Sequence, residues 1–488
     1  MQKDKHRPLR RLDLVLITVL VLIATALRLY RVDAPLADFH SWRQADTAAV
    51  ARNFSRYGFD LLHPRYDDLT SIQSGLDNPE GLRFVEFPLY NAMFAGLYVL
   101  FPVLPVEVWG RIVSIIMSLL TLVALYYLVY KEINRVAAVA TAGIYAVFPY
   151  MVFFSRTVLP ETTAVGFAIL SIVLLRAGLA SEKRRIFSLL VALSSISFAL
   201  AILVKPTAIF YGLVLAILFL RKYGLRVFKA PPAHLYFIMA LLPLIGWRIY
   251  IMQFPEGIPS AGWLITRVQT FEGERNIFFR PAFFRWVFYE RIATQMLGGF
   301  AVFFLIMGIL AKQRSYLLHT LGLSALIYLL VFQGGNIQHE YYQIILFPAL
   351  AVLCGLGIEF LFRHRKILIH PIVTIPVVIA TIGLSIFFSY YKVKDFYGIS
   401  GDLVQIANLI KTVTRPEDTI ITDRMGDTTL LYLMDRRGSP AIYKDLDEMR
   451  KDGYAYLVVQ NRETIETIRR ERNYREIMKT EKFSLFKL

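Results

Sequence analysis

The stretch LDLVLITVLVLIATALRL, residues 12–29, decides the fold class of this protein. It contains one acid and one arginine, and it is long and apolar enough for a helix that crosses a bilayer. It follows the basic segment MQKDKHRPLRR and lacks a small-residue cleavage site, so we expect a retained transmembrane helix rather than a signal peptide. Because Lys and Arg are enriched on the inner face of membranes, we place the N-terminus in the cytoplasm.

Similar apolar runs recur through the first 390 residues. The candidate crossings are 12–30, 87–104, 107–130, 136–153, 161–179, 186–204, 206–220, 235–253, 292–311, 315–333, 341–362 and 367–390. Basic clusters such as 183–185 and 363–366 separate them and mark the cytoplasmic face. A cytoplasmic N-terminus and an external C-terminus need an odd number of crossings, so this list has one run too many or one too few. We predict an α-helical polytopic membrane protein with 11–13 transmembrane helices in residues 1–390.

Composition and charge exclude the other broad classes. The chain is 56% hydrophobic and 19% charged, unlike a typical soluble domain or a disordered protein. Its net charge of +17 comes from basic clusters between apolar runs, so we expect membrane lipids and no nucleic acid as partners. The loops 33–86 and 254–290 contain arginines and acids but no lysine. We therefore place both loops outside, on a multi-pass protein of the plasma or inner membrane.

The tail, residues 391–488, has the composition of a soluble domain, with 18 Lys/Arg and 16 Asp/Glu. Its pattern predicts helices at 403–413 and 463–472, and strands at Thr419–Thr422, Tyr456–Val459 and 483–488. We predict a small α/β extracytoplasmic domain. No glycine-rich phosphate loop follows a strand, so nucleotide binding is unsupported. The single cysteine, Cys354, excludes an intramolecular disulfide and a cysteine metal cluster.

The first outer loop, residues 33–86, concentrates polar side chains directly after the first helix. Small and apolar residues recur at helical spacing from Phe39 to Phe54, which predicts an amphipathic helix at the membrane surface. Asp38 stands where the N-cap of this helix is expected. The loop is therefore predicted to be an outer catalytic loop with surface helices.

Five side chains in this segment form the candidate site: Asp38, His40, Arg43, Gln44 and Asp46. Each alone has a structural explanation, because Asp38 can cap the helix and Asp46 can pair with Arg43. Taken together they favour chemistry. Such a group can bind an anionic headgroup and take a proton from an acceptor hydroxyl or amine.

Further candidates lie near membrane boundaries. Lys205 is the only charge between residues 186 and 220, and an isolated intramembrane lysine is a functional candidate, although Pro206 also permits snorkelling to the interface. Arg156 and Glu161 could simply pair. The acids at 77–80 favour plain turns over a divalent-cation site. The candidate substrate-binding residues are His40, Arg43, Gln44, Glu86, Arg156, Glu161, Lys205, His339 and Tyr342, with no metal ligand assigned.

Several local motifs resemble a known family. Asp38 after the first helix is joined by VARN at 50–53, EFPLY at 86–90, AILVKP at 201–206 and HEYY at 339–342. With the layout of loops and tail, they resemble the GT-C class of polyprenyl-phosphate-sugar-dependent glycosyltransferases. Within that class the chain is most similar to protein O-mannosyltransferases, aminoarabinose transferases and prokaryotic family 39-like proteins. The family usually has an Asp-Glu pair in the first loop, whereas in this sequence Phe39 follows Asp38.

The resemblance implies the GT-C fold and an inverting transfer of a sugar from a polyprenyl-phosphate donor to a lipid, glycan or protein acceptor on the outer face of the membrane. It implies Asp38 or Asp46 as the base, and position favours Asp38. Lys205, Arg156 and His339 are then expected to bind the donor phosphate, without a nucleotide and with no cofactor; a divalent cation is the less favoured option. Two other classes stay open: a flippase or transporter for a lipid-linked glycan, and a non-enzymatic envelope assembly protein.

Overall fold

The computed structural model describes residues 8–261, 268–270, 273–275, 281–313, 316–366, 370–471 and 473–488. Parts of the predicted outer loop 254–290, of the basic segment at the N-terminus, and of the predicted runs 315–333 and 367–390 lie outside the described residues. The chain divides into two compact units. Unit 1 comprises residues 1–30, 112–247 and 261–395, and unit 2 comprises residues 31–111, 248–260 and 396–488.

Helices dominate the described residues. They are α1 Arg11–Arg28, α2 Ser41–Tyr57, α3 Leu89–Leu100, α4 Val106–Glu132, α5 Arg135–Val147, α6 Pro149–Phe154, α7 Pro160–Ala180, α8 Arg184–Val204, α9 Gly212–Tyr223, α10 Pro231–Ile251, α11 Pro281–Phe284, α12 Val302–Leu310, α13 Leu317–Val331, α14 Gln333–Gln338, α15 Phe347–Arg363, α16 Pro371–Val393, α17 Gly401–Val413, α18 Thr429–Met434, α19 Leu446–Lys451 and α20 Arg462–Glu471. Short 3₁₀ segments occupy Pro206–Tyr211, Gly224–Lys229, Pro255–Gly257, Glu340–Leu346 and Lys394–Tyr397, and Arg285–Met296 is a π-helix.

Seven helical stretches in the described part of the chain are long and apolar enough to cross a membrane. They are Val106–Glu132, Pro160–Ala180, Arg184–Val204, Pro206–Lys229, Pro231–Ile251, Glu340–Arg363 and Ile372–Val413. Shorter apolar helices occur at Leu89–Leu100, Arg135–Val147 and Leu317–Val331. This confirms a polytopic helical membrane protein, whereas the number of crossings, 11–13, stays a prediction.

Unit 1 is held together by close helix packing and by buried polar contacts. A methyl group on Gly308 of α12 would collide with a carbonyl of α15, and one on Gly357 of α15 would collide with a carbonyl of α12. Such small residues let helix backbones approach closely inside a membrane. Arg28 of α1 is fully buried and donates to the Ser155 hydroxyl at 2.7 Å and to the Ala146 carbonyl at 2.8 Å. The charge inside the first apolar run therefore ties α1 to its neighbours.

Unit 2 combines the first loop with the tail. The strands of unit 2 are β3 Ile420–Thr422, β4 Gly438–Ser439, β5 Tyr456–Val459, β6 Arg475–Lys479 and β7 Ser484–Lys487; in unit 1, β1 Val268–Thr270 and β2 Gly273–Arg275 form a separate antiparallel pair. The five-stranded sheet of unit 2 has the order β4-β3-β5-β7-β6, with β3 parallel to β4 and β5, and β7 antiparallel to β5 and β6. Buried side chains of α17 and α18 pack on one face of the sheet, and those of α19 and α20 on the other.

The units divide the chain differently from the predicted boundary at residue 390. The tail shares unit 2 with residues 31–111, and the predicted second outer loop, 254–290, is divided, with 254–260 in unit 2 and the rest in unit 1. Because the first loop and the tail belong to one compact unit, we expect them on the same side of a bilayer. That this side faces outward remains our expectation from the basic clusters.

Candidate functional site

Asp38, the preferred base, lies in a short segment immediately before α2. Its side chain is almost fully buried, and its carboxylate accepts a hydrogen bond of 2.7 Å from the Gln44 amide. The same amide donates to the Phe39 carbonyl at 3.0 Å. The fully buried Arg111 guanidinium lies 3.8 Å from the other carboxylate oxygen and donates to the Ala34 carbonyl. The Asp38 carboxylate is therefore held in one orientation from two sides.

Helix α2 differs from the predicted amphipathic surface helix. It begins at Ser41, and every residue from Arg43 to Phe54 is buried. Asp38 is not its N-cap: that position belongs to His40, which adopts a left-handed backbone with φ of 55° and makes no capping hydrogen bond with its side chain. The N-cap prediction is thus wrong, and residues 43–54 of α2 are covered on all sides instead of having one exposed face; that α2 lies at the membrane surface stays a prediction. Small residues such as alanine suit a helix that is covered on all sides as well as one with a single apolar face.

Arg43 and Glu86 form an ion pair. The Arg43 guanidinium donates to both Glu86 carboxylate oxygens, at 2.8 and 2.7 Å, and both side chains are largely buried. The side chains of Arg43 and Gln44 thus extend from α2 to two different carboxylates, those of Glu86 and Asp38. The structure brings these four predicted residues together in unit 2.

Asp46 is a paired acid, but its partner is not the predicted Arg43. The Arg83 guanidinium lies 2.6 Å from one Asp46 oxygen, and the Thr428 hydroxyl donates to the other at 2.6 Å. Burial raises the pKa of Asp46, and the positive charge of Arg83 opposes that shift. Since Asp46 is 2% exposed and bonded through both oxygens, its geometry fits a structural role.

A second group of predicted residues meets in unit 1. The Lys205 ammonium, at the C-terminal end of α8, lies 2.6 Å from a Glu161 carboxylate oxygen and 5.2 Å from the centre of the Tyr342 ring. Glu161 is fully buried and Lys205 is 5% exposed. Lys205 is therefore not a snorkelling residue that reaches solvent. The suggested pairing of Arg156 with Glu161 is replaced by the Lys205–Glu161 pair.

His339 belongs to the same group, whereas Arg156 lies beside another aromatic ring. The imidazole of His339 stacks on Tyr341, with ring centres 5.3 Å apart, and lies 6.2 Å from Tyr342. The buried Arg156 guanidinium lies 5.2 Å from the Phe153 ring. Unit 1 thus contains a cluster of Glu161, Lys205, His339 and Tyr342, flanked by aromatic side chains.

Three arginines that contact acids of these two groups were not predicted from the sequence. Arg111 and Arg83 contact Asp38 and Asp46, and Arg291 forms an ion pair with Glu340 in unit 1. Arg291 also lines a cavity of about 450 Å³ with Trp286 and Lys392. A signal existed for Arg111, because it is a charge near the start of the predicted run 107–130.

The acidic turn at 77–80 does not gather its carboxylates. Asp77 lies near Lys444, and Glu80 pairs with Arg65 at 2.5 Å. In the part of the chain that the structure describes, no three His, Cys, Asp or Glu side chains are grouped so that they could hold a metal ion.

Comparisons with known proteins place this geometry in context. The family model described as dolichyl-phosphate-mannose-protein mannosyltransferase matches residues 86–250, and no curated protein sequence matches the chain. The fold is similar to ArnT from Cupriavidus metallidurans in the apo state, with a TM-score of 0.69 and 13% identity over 98% of both chains. ArnT from the same organism bound to undecaprenyl phosphate gives 0.66 and 15%, over 96% of this chain and 97% of that one.

The archaeal oligosaccharyltransferase AglB from Archaeoglobus fulgidus, in complex with an inhibitory peptide and a dolichol-phosphate, gives a TM-score of 0.59 at 12% identity. That match covers 92% of this chain and 69% of AglB. These similarities confirm the GT-C fold with a small C-terminal sheet region, and they confirm the resemblance to GT-C glycosyltransferases that the motifs indicated.

Proposed function

We propose that this protein of the GT-C fold is an integral-membrane glycosyltransferase that moves a sugar from a polyprenyl phosphate to an acceptor at the outer face of the membrane. The observation that carries the proposal is the held Asp38 carboxylate beside the Arg43–Glu86 pair, at the start of the first loop. The family model over residues 86–250 and the fold support the same reaction class.

Asp38 acts as the general base in this proposal. The acceptor hydroxyl or amine loses its proton to Asp38 while its oxygen or nitrogen bonds to the anomeric carbon. The bond from that carbon to the phosphate oxygen breaks, and the polyprenyl phosphate leaves with the electron pair. Attack opposite the leaving group inverts the anomeric centre. A positioned base contributes on the order of 10²–10⁴ in rate, and the hydrogen bond from Gln44 fixes its orientation.

The Lys205 cluster is the proposed site for the donor phosphate. Its ammonium is buried, and charge–charge attraction is stronger in a poorly hydrated place than in water. Glu161 fixes the ammonium, while His339 and Tyr342 add polar groups on an aromatic surface. Solved structures of similar fold contain undecaprenyl phosphate or a dolichol-phosphate, which supports a polyprenyl phosphate as the donor's lipid part. In this proposal the Arg156 guanidinium also contributes to binding of the donor phosphate.

The test uses the purified full chain in liposomes with polyprenyl-phosphate hexose and pentose donors and an envelope-lipid extract as acceptor. We expect polyprenyl phosphate to be released only when the acceptor is added. Asp38→Asn should reduce release at least ~100-fold while donor binding is retained. Asp60→Asn, an exposed acid of the same loop, is the matched control. Equal release of polyprenyl phosphate by Asp38→Asn and the wild type would refute the assignment of Asp38 as the base. Release that does not depend on the acceptor would contradict the proposed transferase activity.

A further inference from the structure

Unit 2 contains a cavity that the proposed transfer reaction does not use. It has a volume of about 320 Å³ and is open to solvent on one side. The first loop contributes Asp77 to its wall, and the tail contributes Tyr443, Lys444, Asp452 and Tyr454. Two segments that are distant in sequence therefore build one pocket of the size that small ligands occupy, about 300–1,000 Å³.

Lys444 organises the polar side of the cavity. Its ammonium lies 3.4 Å from an Asp77 oxygen, 3.3 Å from an Asp452 oxygen and 5.3 Å from the centre of the Tyr443 ring. Hydrogen bonding to Asp452 raises the pKa of Lys444. The lysine stands between the two carboxylates, and no third acid or histidine among the described residues joins them to form a metal site.

The remaining groups define what such a ligand must offer. Tyr443 is half-buried and supplies the aromatic surface of the cavity, whereas Tyr454 is almost fully buried and closes its wall. The side chains of Asp77 and Asp452 are 73% and 46% exposed, which leaves carboxylate oxygens able to accept further hydrogen bonds. A saccharide combines an apolar ring face with hydroxyl donors and acceptors at its edge, which matches aromatic rings flanked by carboxylates and an ammonium.

The charge of the cavity selects among saccharides. Two carboxylates and one ammonium give a net negative charge, so an anionic sugar is repelled, whereas a neutral or amine-bearing sugar is accepted.

We propose that this cavity is a saccharide-binding subsite that holds a neutral or amine-bearing sugar of the acceptor. The assignment to the acceptor rests on the proposed function, because a transferase of this kind must recognise the molecule that receives the sugar. Saccharide binding itself can be measured without transfer.

The experiment uses the full chain in lipid nanodiscs free of sugar-based detergent, with cellobiose, glucosamine and glucuronate as probes in saturation-transfer NMR. We expect millimolar binding of cellobiose and glucosamine, and binding of glucuronate at least ~10-fold weaker. Tyr443→Ala should weaken cellobiose binding ~10-fold or more, about the value of one good contact, and Tyr443→Phe should retain it. Tyr57→Ala, a 72% exposed tyrosine of α2, is the control.

Release of polyprenyl phosphate is measured on the same nanodiscs. The subsite is overturned by any of three results: no saturation transfer from the wild-type protein to cellobiose or glucosamine, unchanged cellobiose binding in Tyr443→Ala, or a preference for glucuronate. Saccharide binding that depends on Tyr443, in a protein that releases no polyprenyl phosphate with any donor, supports the subsite and counts against the proposed function alone. Release of polyprenyl phosphate by a protein that binds no saccharide supports the proposed function and overturns the subsite.

Discussion

The Lys205–Glu161 pair provides a sharp test of the donor site, because its two members can be removed separately or together. Lys205→Met alone leaves the fully buried Glu161 carboxylate without the ammonium 2.6 Å away. Removing one partner of a buried ion pair costs about 3–5 kcal/mol. We therefore expect this single variant to be destabilised, and its loss of activity would say nothing about the donor.

The double variant Lys205→Met/Glu161→Gln removes both charges, so it leaves no uncompensated buried charge, which is the main cost of breaking such a pair. We expect its thermal unfolding midpoint to return close to that of the wild type. Charge-assisted hydrogen bonds contribute about 1.5–3 kcal/mol, so its affinity for the polyprenyl-phosphate donor should be about 10- to 100-fold lower.

The reference is Glu161→Gln, which keeps the Lys205 side chain; because this variant also removes one partner of the buried pair, its thermal unfolding midpoint is measured together with its donor affinity. Donor affinity is measured for both variants in nanodiscs by equilibrium binding of a radiolabelled polyprenyl phosphate. Equal affinities in Glu161→Gln and in a folded double variant would refute the assignment of Lys205 to the phosphate and leave the pair a structural one.

Three further predictions concern unit 2 and the topology. Arg83→Met removes the ion-pair partner of the buried Asp46, so the free energy of unfolding should fall by about 3–5 kcal/mol. Arg83→Lys keeps a positive charge and should be destabilised less. An unchanged thermal unfolding midpoint in Arg83→Met would contradict this prediction. Burial raises the pKa of Asp68 to about 6. The folded state therefore holds this proton more tightly than the unfolded chain does. The free energy of unfolding should fall by about 3 kcal/mol as the pH rises from about 4 to about 6. Asp68→Asn should remove this pH dependence in unfolding experiments between pH 4 and 7.5. In a cysteine-free background, an impermeant thiol reagent added outside should label Ser71→Cys and spare Ser181→Cys, and the opposite pattern would reverse the topology.

The sequence by itself determined the features that depend on local pattern. Continuous apolar runs such as 161–179 and 186–204 became the helices Pro160–Ala180 and Arg184–Val204, because a helix in lipid satisfies its own backbone hydrogen bonds and needs only apolar side chains. In the tail, the predicted strand Tyr456–Val459 has the observed bounds, and the helix predicted from 403 begins at Gly401. Alternation and helical spacing carry that information within a few residues.

Only the tertiary structure decided which charges meet. Asp46 pairs with Arg83 instead of Arg43, Arg43 with Glu86, and Lys205 with Glu161, and each pair joins residues about forty positions apart. Local spacing cannot select among such partners, since long side chains take whichever counter-charge the packing of helices and loops brings near. The same holds for α2, whose small residues fit a surface helix or a covered one, and the elements packed around it made it buried.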